Sequence, residues 1–374
     1  MKILLLSNAC NAHTIKWARG LAGEGLNICI FGLEPYHAQY YHGYPAISVV
    51  GCDQSVPRGG EGSLLKLRYL AALPKLRKRI DEFRPDILHA HYASSYGLLG
   101  ALSGFHPFIL SVWGSDIFSF PNKSRLHRNI LRFNLSKADK VLSTSHAMAR
   151  ETQRYTTRRI TVTPFGVDVN EFRERPVDSL FAPGDLVIGT VKALEQTYGI
   201  HYLIQAFKLV CGRHPRLPLK LLIVGGGSMR AALQGLVDEL GLRERVTWAG
   251  EVPYDEVSRY HNMLSISVFP SNSESFGVAA IEASACGRPV VVSDVGGLPE
   301  VVEHGVTGLV VPAKDVRQLA QAIGRLALDE TLRRTMGGAG RERVRERYNW
   351  DYSVRQMVDI YEEIVPARAR TLVA

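Results

Sequence analysis

The chain alternates short apolar runs with stretches of helical period. Residues 2–7 and 26–31 are continuous apolar runs of the kind buried strands show, and 13–22 between them carries an amphipathic helix pattern. That is a βαβ opening. Further strands are predicted at 86–90, 108–113, 141–145 and 160–164. A polar stretch, DSLFAPGD, ending at Asp185, reads as a linker. The alternation then restarts, with strands at 186–191, 220–224, 265–269 and 289–293 and a helix at 200–211. This pattern predicts an α/β chain built on parallel sheets. With 374 residues, it exceeds one ordinary core and suits two domains, 1–180 and 181–350.

Two segments stand apart by charge. After a polar, glycine-rich loop at 51–63, residues 64–83 set Leu64, Leu67, Leu70 and Leu73 among Lys66, Arg68, Lys75, Arg77, Lys78 and Arg79. Pro74 is expected to break or kink that helix. A second basic helix at 123–140 carries Lys123, Arg125, Arg128, Arg132 and Lys137. Residues 1–180 hold 23 Lys and Arg against 14 Asp and Glu, which accounts for the whole net charge of +9. Such a half could meet nucleic acid, but it has neither zinc-finger spacing nor an aromatic-rich binding signature. An anionic membrane surface is the other partner, and a basic amphipathic helix suits it as well as it suits a solvated face.

No apolar run reaches the roughly 18–20 residues that span a bilayer. The opening MKILLLSNAC is followed by Lys16 and Arg19 without a cleavage pattern, so it reads as a buried strand rather than a leader. Cys10, Cys29, Cys52, Cys211 and Cys286 are scattered and form no Cys-x-x-Cys. A disulfide framework and structural zinc are not expected, and a reducing cytoplasm fits.

The richest candidate chemistry lies at 269–300, FPSNSESFGVAAIEASACGRPVVVSDVGGLPE. Glu274 falls in a loop and Glu282 inside the helix that follows. Ser275, Phe276, Gly277 and Val278 are expected to form the first helical turn, whose free N–H groups make an anion site. Gly277 would let a phosphate come close to the backbone. Carboxylates on both sides of such a site suit a nucleotide-sugar, which carries phosphates and hydroxyls; otherwise they are two solvated glutamates. Lys192, directly after the strand at 186–191, is placed to neutralise a diphosphate or simply to face solvent. Gly225-Gly226-Gly227-Ser228 forms a glycine turn, a feature that also serves tight strand–helix packing. A second glycine turn at 296–304 is expected to be structural.

The first half offers less. Its opening loop, SNACNAHT, lacks the glycine spacing of a dinucleotide fingerprint, which argues against a nicotinamide enzyme. His13 and Thr14 fall at a helix start near the strand ends where open α/β sheets bind ligands, or they cap the helix. His89 and His91 alternate onto one strand face. Such a His-x-His pair can ligate a metal, as in amidohydrolases, but the further His and Asp ligands it would need have no evident place in the sequence; the favoured expectation is that His91 faces the cleft and His89 is packed.

The segment PSNSESFGVAAIEASACGRPVVVSDVGGLPEVVEHGVTGLVVP closely resembles the donor-binding segment of the retaining glycosyltransferases of family four, which carry a Glu-x7-Glu pair in this setting. The resemblance covers most of 186–365 and, more weakly, the first half. It implies the GT-B architecture, two Rossmann-like domains with parallel sheets facing across a cleft, and a final helix, about 351–374, packing back on the first domain. It implies sugar transfer from a nucleoside-diphosphate donor with retention at the anomeric carbon, without metal or cofactor. Glu274 would hold the donor sugar and Glu282 the ribose. Phe276, Gly277 and Val278, with Lys192, would bind the diphosphate. The turn at Gly225 and Gly227 would approach the nucleotide, and Glu251 and Val252 would lie beside the base. Asp116 matches the family's His-Gly-x-Asp, where it contacts the sugar or caps a helix, but Trp113 replaces the His. Tyr198 stands where a second basic residue, a Lys, is usual. The expected acceptor is a glycan or lipid-linked molecule in cell-surface polysaccharide synthesis, at the inner face of the plasma membrane. A nucleotide-sugar epimerase and a non-catalytic sugar-nucleotide-binding protein are the rival classes.

Overall fold

The computed structural model describes residues 1–51 and 70–365. The chain divides into two compact units, one formed by Met1–Pro164 with the segment from Ser353 onward, the other by Phe165–Tyr352. The division falls at Pro164, earlier than the linker expected from the Pro- and Gly-bearing stretch before Asp185.

Among the described residues the first unit holds seven parallel strands: β1 (Lys2–Leu6), β2 (Asn27–Phe31), β3 (Ile47–Val50), β4 (Ile87–His91), β5 (Phe108–Val112), β6 (Lys140–Ser143) and β7 (Ile160–Val162). Their order is β3-β2-β1-β4-β5-β6-β7. Every residue of β4 and β5 is buried, as befits strands covered on both faces. Leu88, Leu110 and Val141 pack with Leu99, Leu131 and Leu135 from the flanking helices. The edge strand β3 is only partly buried, which explains why its apolar signal is too weak to assign from sequence.

The second unit holds six parallel strands: β8 (Leu186–Val191), β9 (Leu219–Val224), β10 (Val246–Gly250), β11 (Ile266–Phe269), β12 (Val290–Ser293) and β13 (Gly308–Val311). The order is β10-β9-β8-β11-β12-β13. Ile188, Leu221, Ile223, Val268 and Val291 form its core with Leu203, Phe207, Leu319 and Ile323.

Both sheets reverse their winding once, between β1 and β4 in the first unit and between β8 and β11 in the second. At such a reversal the loops leaving the two neighbouring strands diverge and open a crevice at the strands' carboxyl ends. The segments that follow β8 and β11 carry Lys192 and Glu274.

Two local expectations change. Pro74 does not break a helix; it occupies the first turn of Leu73–Phe83, where its missing N–H costs nothing. The glycine-rich loop at 51–63 lies outside the described residues except for Gly51, and so does the start of the basic segment up to residue 69. The helix Trp350–Ile364 closes the described chain, and its Tyr361 is wholly buried with its hydroxyl 2.7 Å from His89 Nδ1. Among the described residues no helix is long and apolar enough to cross a membrane.

Candidate active site

In the second unit, the loop after β11 is fixed from two sides. Phe276 buries its ring against Phe165 and Tyr348 at centroid distances of 6.1 and 5.6 Å. Gly297 donates its N–H to Glu274 O, and a Cβ on Gly296 would overlap that same carbonyl. The second glycine turn is therefore structural as expected, and what it supports is the Glu274 loop.

The helix begins later than its sequence suggests, at Val278, and runs to Ala285. Gly277 is its N-cap with φ of 109°, outside the helical region, so Ser275, Phe276 and Gly277 cannot be helical turns. The space a Gly277 side chain would need is filled by Leu298 and Val301. Its lack of a side chain thus answers to packing rather than to an approaching phosphate. Among the described residues the N–H groups of Phe276, Gly277, Val278 and Ala279 meet no protein acceptor, whereas Ala280 and Ile281 already donate to Gly277 O.

Lys192 Nζ lies 2.7 Å from Glu274 Oε2, with 14% and 10% of the two side chains exposed. The same ammonium sits 4.3 Å from the centre of the Tyr198 ring. Burial opposes the charge on Lys192, but Glu274, Tyr198 and Glu282 outweigh it and hold the ammonium above its ordinary lysine value. Tyr198, standing where a second basic residue was expected, therefore grips the one that is present.

Glu282, inside the helix, is 6% exposed. Tyr254 Oη stands 3.4 Å from Oε1 and His261 Nε2 3.8 Å from Oε2. Although 44% of Tyr254 is exposed, desolvation of its phenol first and the Glu282 charge second push that group above its usual range. Sequence reasoning missed both flanking residues. Their spacing on the helix Tyr254–Met263, seven apart and so on one face, was the available signal.

The turn Gly225 to Gly227 presses on the segment that carries Lys192: a Cβ on Gly225 would meet Lys192 O, and Leu194 N donates to Gly226 O. These glycines are accounted for by that close approach. Glu251 is exposed and Val252 partly so, just past β10, with the Glu251 carboxylate beside Gly226. Lys192, Gly225, Glu251 and Glu274 thus all follow carboxyl ends of strands in one sheet.

The first unit carries a buried polar network at the ends of β1, β4 and β5. Ser7 Oγ lies 2.7 Å from Thr14 Oγ1 and 3.1 Å from His91 Nδ1; His89 Nε2 lies 2.8 Å from Ser111 Oγ. His89 is packed, as expected, but so is His91, only 2% exposed and stacked 4.2 Å from the ring of Trp113. The two stand two apart on the same face of β4, which is buried along its whole length, so alternation could not separate them. Thr14 is likewise turned inward, with no exposed surface, while Asn11 caps the helix and His13 stays partly exposed beside Trp113. Burial pushes His89 down to about 3; burial, then the nearby His89 and His13, carries His91 well below the usual imidazole value. Among the described residues, no group of three His, Cys, Asp or Glu side chains could hold a metal ion.

Asp116 also changes role. It is 1% exposed and accepts N–H bonds from Ala93 at 2.7 Å, Gly114 at 2.8 Å and Trp113 at 3.2 Å. Burial raises its pKa although these bonds pull the other way. Of the two roles left open for it, the geometry is that of a cap that fixes the turn after β5.

Comparison with known proteins agrees with this architecture. The family model for glycosyl transferases group 1 matches residues 171–343, and that for glycosyl transferase 4-like proteins matches 2–145. The chain is 30% identical over 403 aligned positions to a D-inositol 3-phosphate glycosyltransferase of Thermobispora bispora, covering 97% of this chain and 91% of that one. Another relative of the same description reaches 36% identity, but the match spans only 54% of that protein's length. Sucrose-phosphate synthase from Thermosynechococcus elongatus superposes with a TM-score of 0.82 at 24% identity, over 97% of this chain and 98% of that one. Anabaena HepE, solved with UDP and glucose, superposes with a TM-score of 0.76 at 20% identity, over 97% and 100%. The two parallel sheets, the family models and the full-length relative converge on one assignment: the chain belongs to glycosyltransferase family four, with the GT-B fold.

Proposed function

We propose that the chain moves a sugar from a nucleoside-diphosphate donor to a hydroxyl acceptor with retention at the anomeric carbon. The observation that carries this reading is the Lys192–Glu274 pair at the winding reversal, beside a helix start whose N–H groups are free of protein acceptors among the described residues. As the bond from the anomeric carbon to the phosphate oxygen breaks, negative charge grows on the departing diphosphate. Free amides and an ammonium fixed in advance stabilise that charge without reorganising. Lys192 has three N–H donors, so its bond to Glu274 leaves others for a phosphate oxygen.

Glu274 would accept hydrogen bonds from the donor sugar and stabilise the positive character of its ring. Glu282 would take the ribose hydroxyls. Glu251 and Val252 would lie beside the base, and the turn at Gly225 and Gly227 would let the nucleotide approach. The acceptor oxygen bonds to the anomeric carbon, and its proton passes to the departing phosphate oxygen, so the scheme asks for no protein base, metal or cofactor. The UDP and glucose bound by HepE support a nucleotide-sugar donor. His13, the partly exposed member of its cluster, is retained as a contact for the acceptor.

Acceptors carrying phosphate, lipid-linked ones first, fit the basic first half, in cell-surface polysaccharide synthesis on the cytoplasmic face of the membrane. On the helix Arg125–Lys137, Leu126 and Phe133 are 51% and 37% exposed, among the exposed Arg125, Arg128 and Arg132. Apolar residues seven apart within a basic face support docking on an anionic bilayer. Vesicle co-sedimentation tests this: salt-sensitive binding to anionic but not neutral vesicles is expected, and equal binding to both contradicts it. Product analysis tests the reaction itself. Sugar should appear on an acceptor with its anomeric configuration kept, and donor turnover without acceptor would favour an epimerase.

A further inference from the structure

His261 has no exposed surface, and neither ring nitrogen has a hydrogen-bond partner among the described residues. A buried imidazole left that way costs free energy that a leucine would avoid, so its retention asks for a reason. The nearest charged group supplies one. His261 Nε2 lies 3.8 Å from Glu282 Oε2, and Tyr254 Oη lies 3.4 Å from Oε1, so the carboxylate is bracketed by one donor on each oxygen. Phe172 flanks both rings, at 6.3 Å from His261 and 5.7 Å from Tyr254, and restricts where they can go. A shift of about 1 Å brings Nε2 to hydrogen-bond length.

We propose that His261 is a positioning residue for the donor's ribose: with its proton on Nε2, it sets the plane of the Glu282 carboxylate, and Tyr254 holds the opposite oxygen. A carboxylate has about four lone-pair directions. Taking one on each oxygen from the protein side leaves the others aimed at a pair of vicinal hydroxyls, the 2′ and 3′ groups of a ribose. His261 itself touches no substrate. The proposal rests on the assignment of Glu282 to the ribose, and its test separates the two.

The test measures calorimetric dissociation constants for UDP, GDP and ADP with the full chain, continuing with whichever binds and its 2′,3′-dideoxy analogue. His261→Phe should weaken the ribonucleotide about ten-fold, the worth of one well-placed hydrogen bond. It should leave the dideoxy analogue unchanged, and raise KM for the donor sugar nucleotide at nearly constant kcat. His261→Gln, which returns an N–H near the Nε2 position, should recover most of the loss. Thermal denaturation of each variant checks folding, and His261→Gln against His261→Leu carries the comparison if the Phe variant does not fold. Equal weakening of ribo- and dideoxynucleotide, or no weakening of either, overturns the positioning role. If Glu282→Ala binds both analogues as the wild type does, or the wild type binds no nucleotide, the ribose assignment itself falls.

Discussion

Lys192 has three neighbours that fix it: a carboxylate 2.7 Å away, an aromatic face at 4.3 Å and the close-packed backbone of the glycine turn. A charge held this way is preorganised, and removing any one holder should be felt in turnover. Glu274→Ala is expected to abolish most transfer, whereas Glu282→Ala should raise the donor KM and spare kcat. Donor titrations with turnover on both variants check this, and wild-type rates for Glu274→Ala would end the assignment. Tyr198→Leu removes a cation–π contact worth about 0.5–2 kcal/mol. Its expected effect is a drop in kcat of roughly two- to thirty-fold with little change in nucleotide affinity, and an unchanged kcat would show the ring to be mere packing. At this scale the sequence marks Lys192, Glu274 and Glu282 through their order around strand ends. It does not reveal that Thr14, His91 and Asp116 are buried: Thr14 and Asp116 lie in the first turns of helices and His91 at the end of a strand buried along its whole length, places where polar side chains can face either way.

At the scale of elements, the Glu274 loop depends on a neighbour distant in sequence. The turn after β12 lies against the loop after β11, and Gly296, with φ of 53°, leaves no room for a Cβ. Gly296→Ala should therefore shift the loop and cost roughly 1–3 kcal/mol of strain. Transfer should be lost while the melting temperature falls by only a few degrees; a fully active variant would mean the loop tolerates the displacement. Most strands and helices follow from apolar runs and their spacing; β3, β10 and β13, all at the ends of their sheets, are the strands that escape this reading. Two boundaries escape it as well. The helix start moves to Val278 because a left-handed glycine precedes it, and the helix Leu73–Phe83 takes Pro74 into its first turn rather than breaking there. In both cases propensity alone leaves the choice open, and backbone conformation set by packing decides it.

For the first unit as a whole, stability is tied to pH through buried groups. In the unfolded chain an imidazole titrates near 6.5; in the first unit His89 is pushed down to about 3 and His91 well below its usual value. Below pH 6.5 the unfolded chain therefore binds more protons than the folded one, so acid favours unfolding. Stability from these groups is complete above about pH 6.5 and drains away as pH falls toward 3. His89 alone contributes a slope of about 1.4 kcal/mol per pH unit, or about 2 kcal/mol lost at pH 5. Hydrogen exchange at β1, β4 and β5 between pH 7.5 and 5 should report that loss, after correction for intrinsic rates. A flat profile would mean that the two imidazoles are solvated.

The central claim is that the Lys192–Glu274 pair and the helix start at Val278 hold a diphosphate. Calorimetric binding of a nucleoside diphosphate, its monophosphate and the free nucleoside to the wild type and Lys192→Ala tests it most directly. The account predicts that Lys192→Ala weakens the diphosphate about ten- to hundred-fold, the range of a lost charge-assisted hydrogen bond, and leaves the nucleoside unaffected. Equal affinity of both proteins for the diphosphate would contradict it.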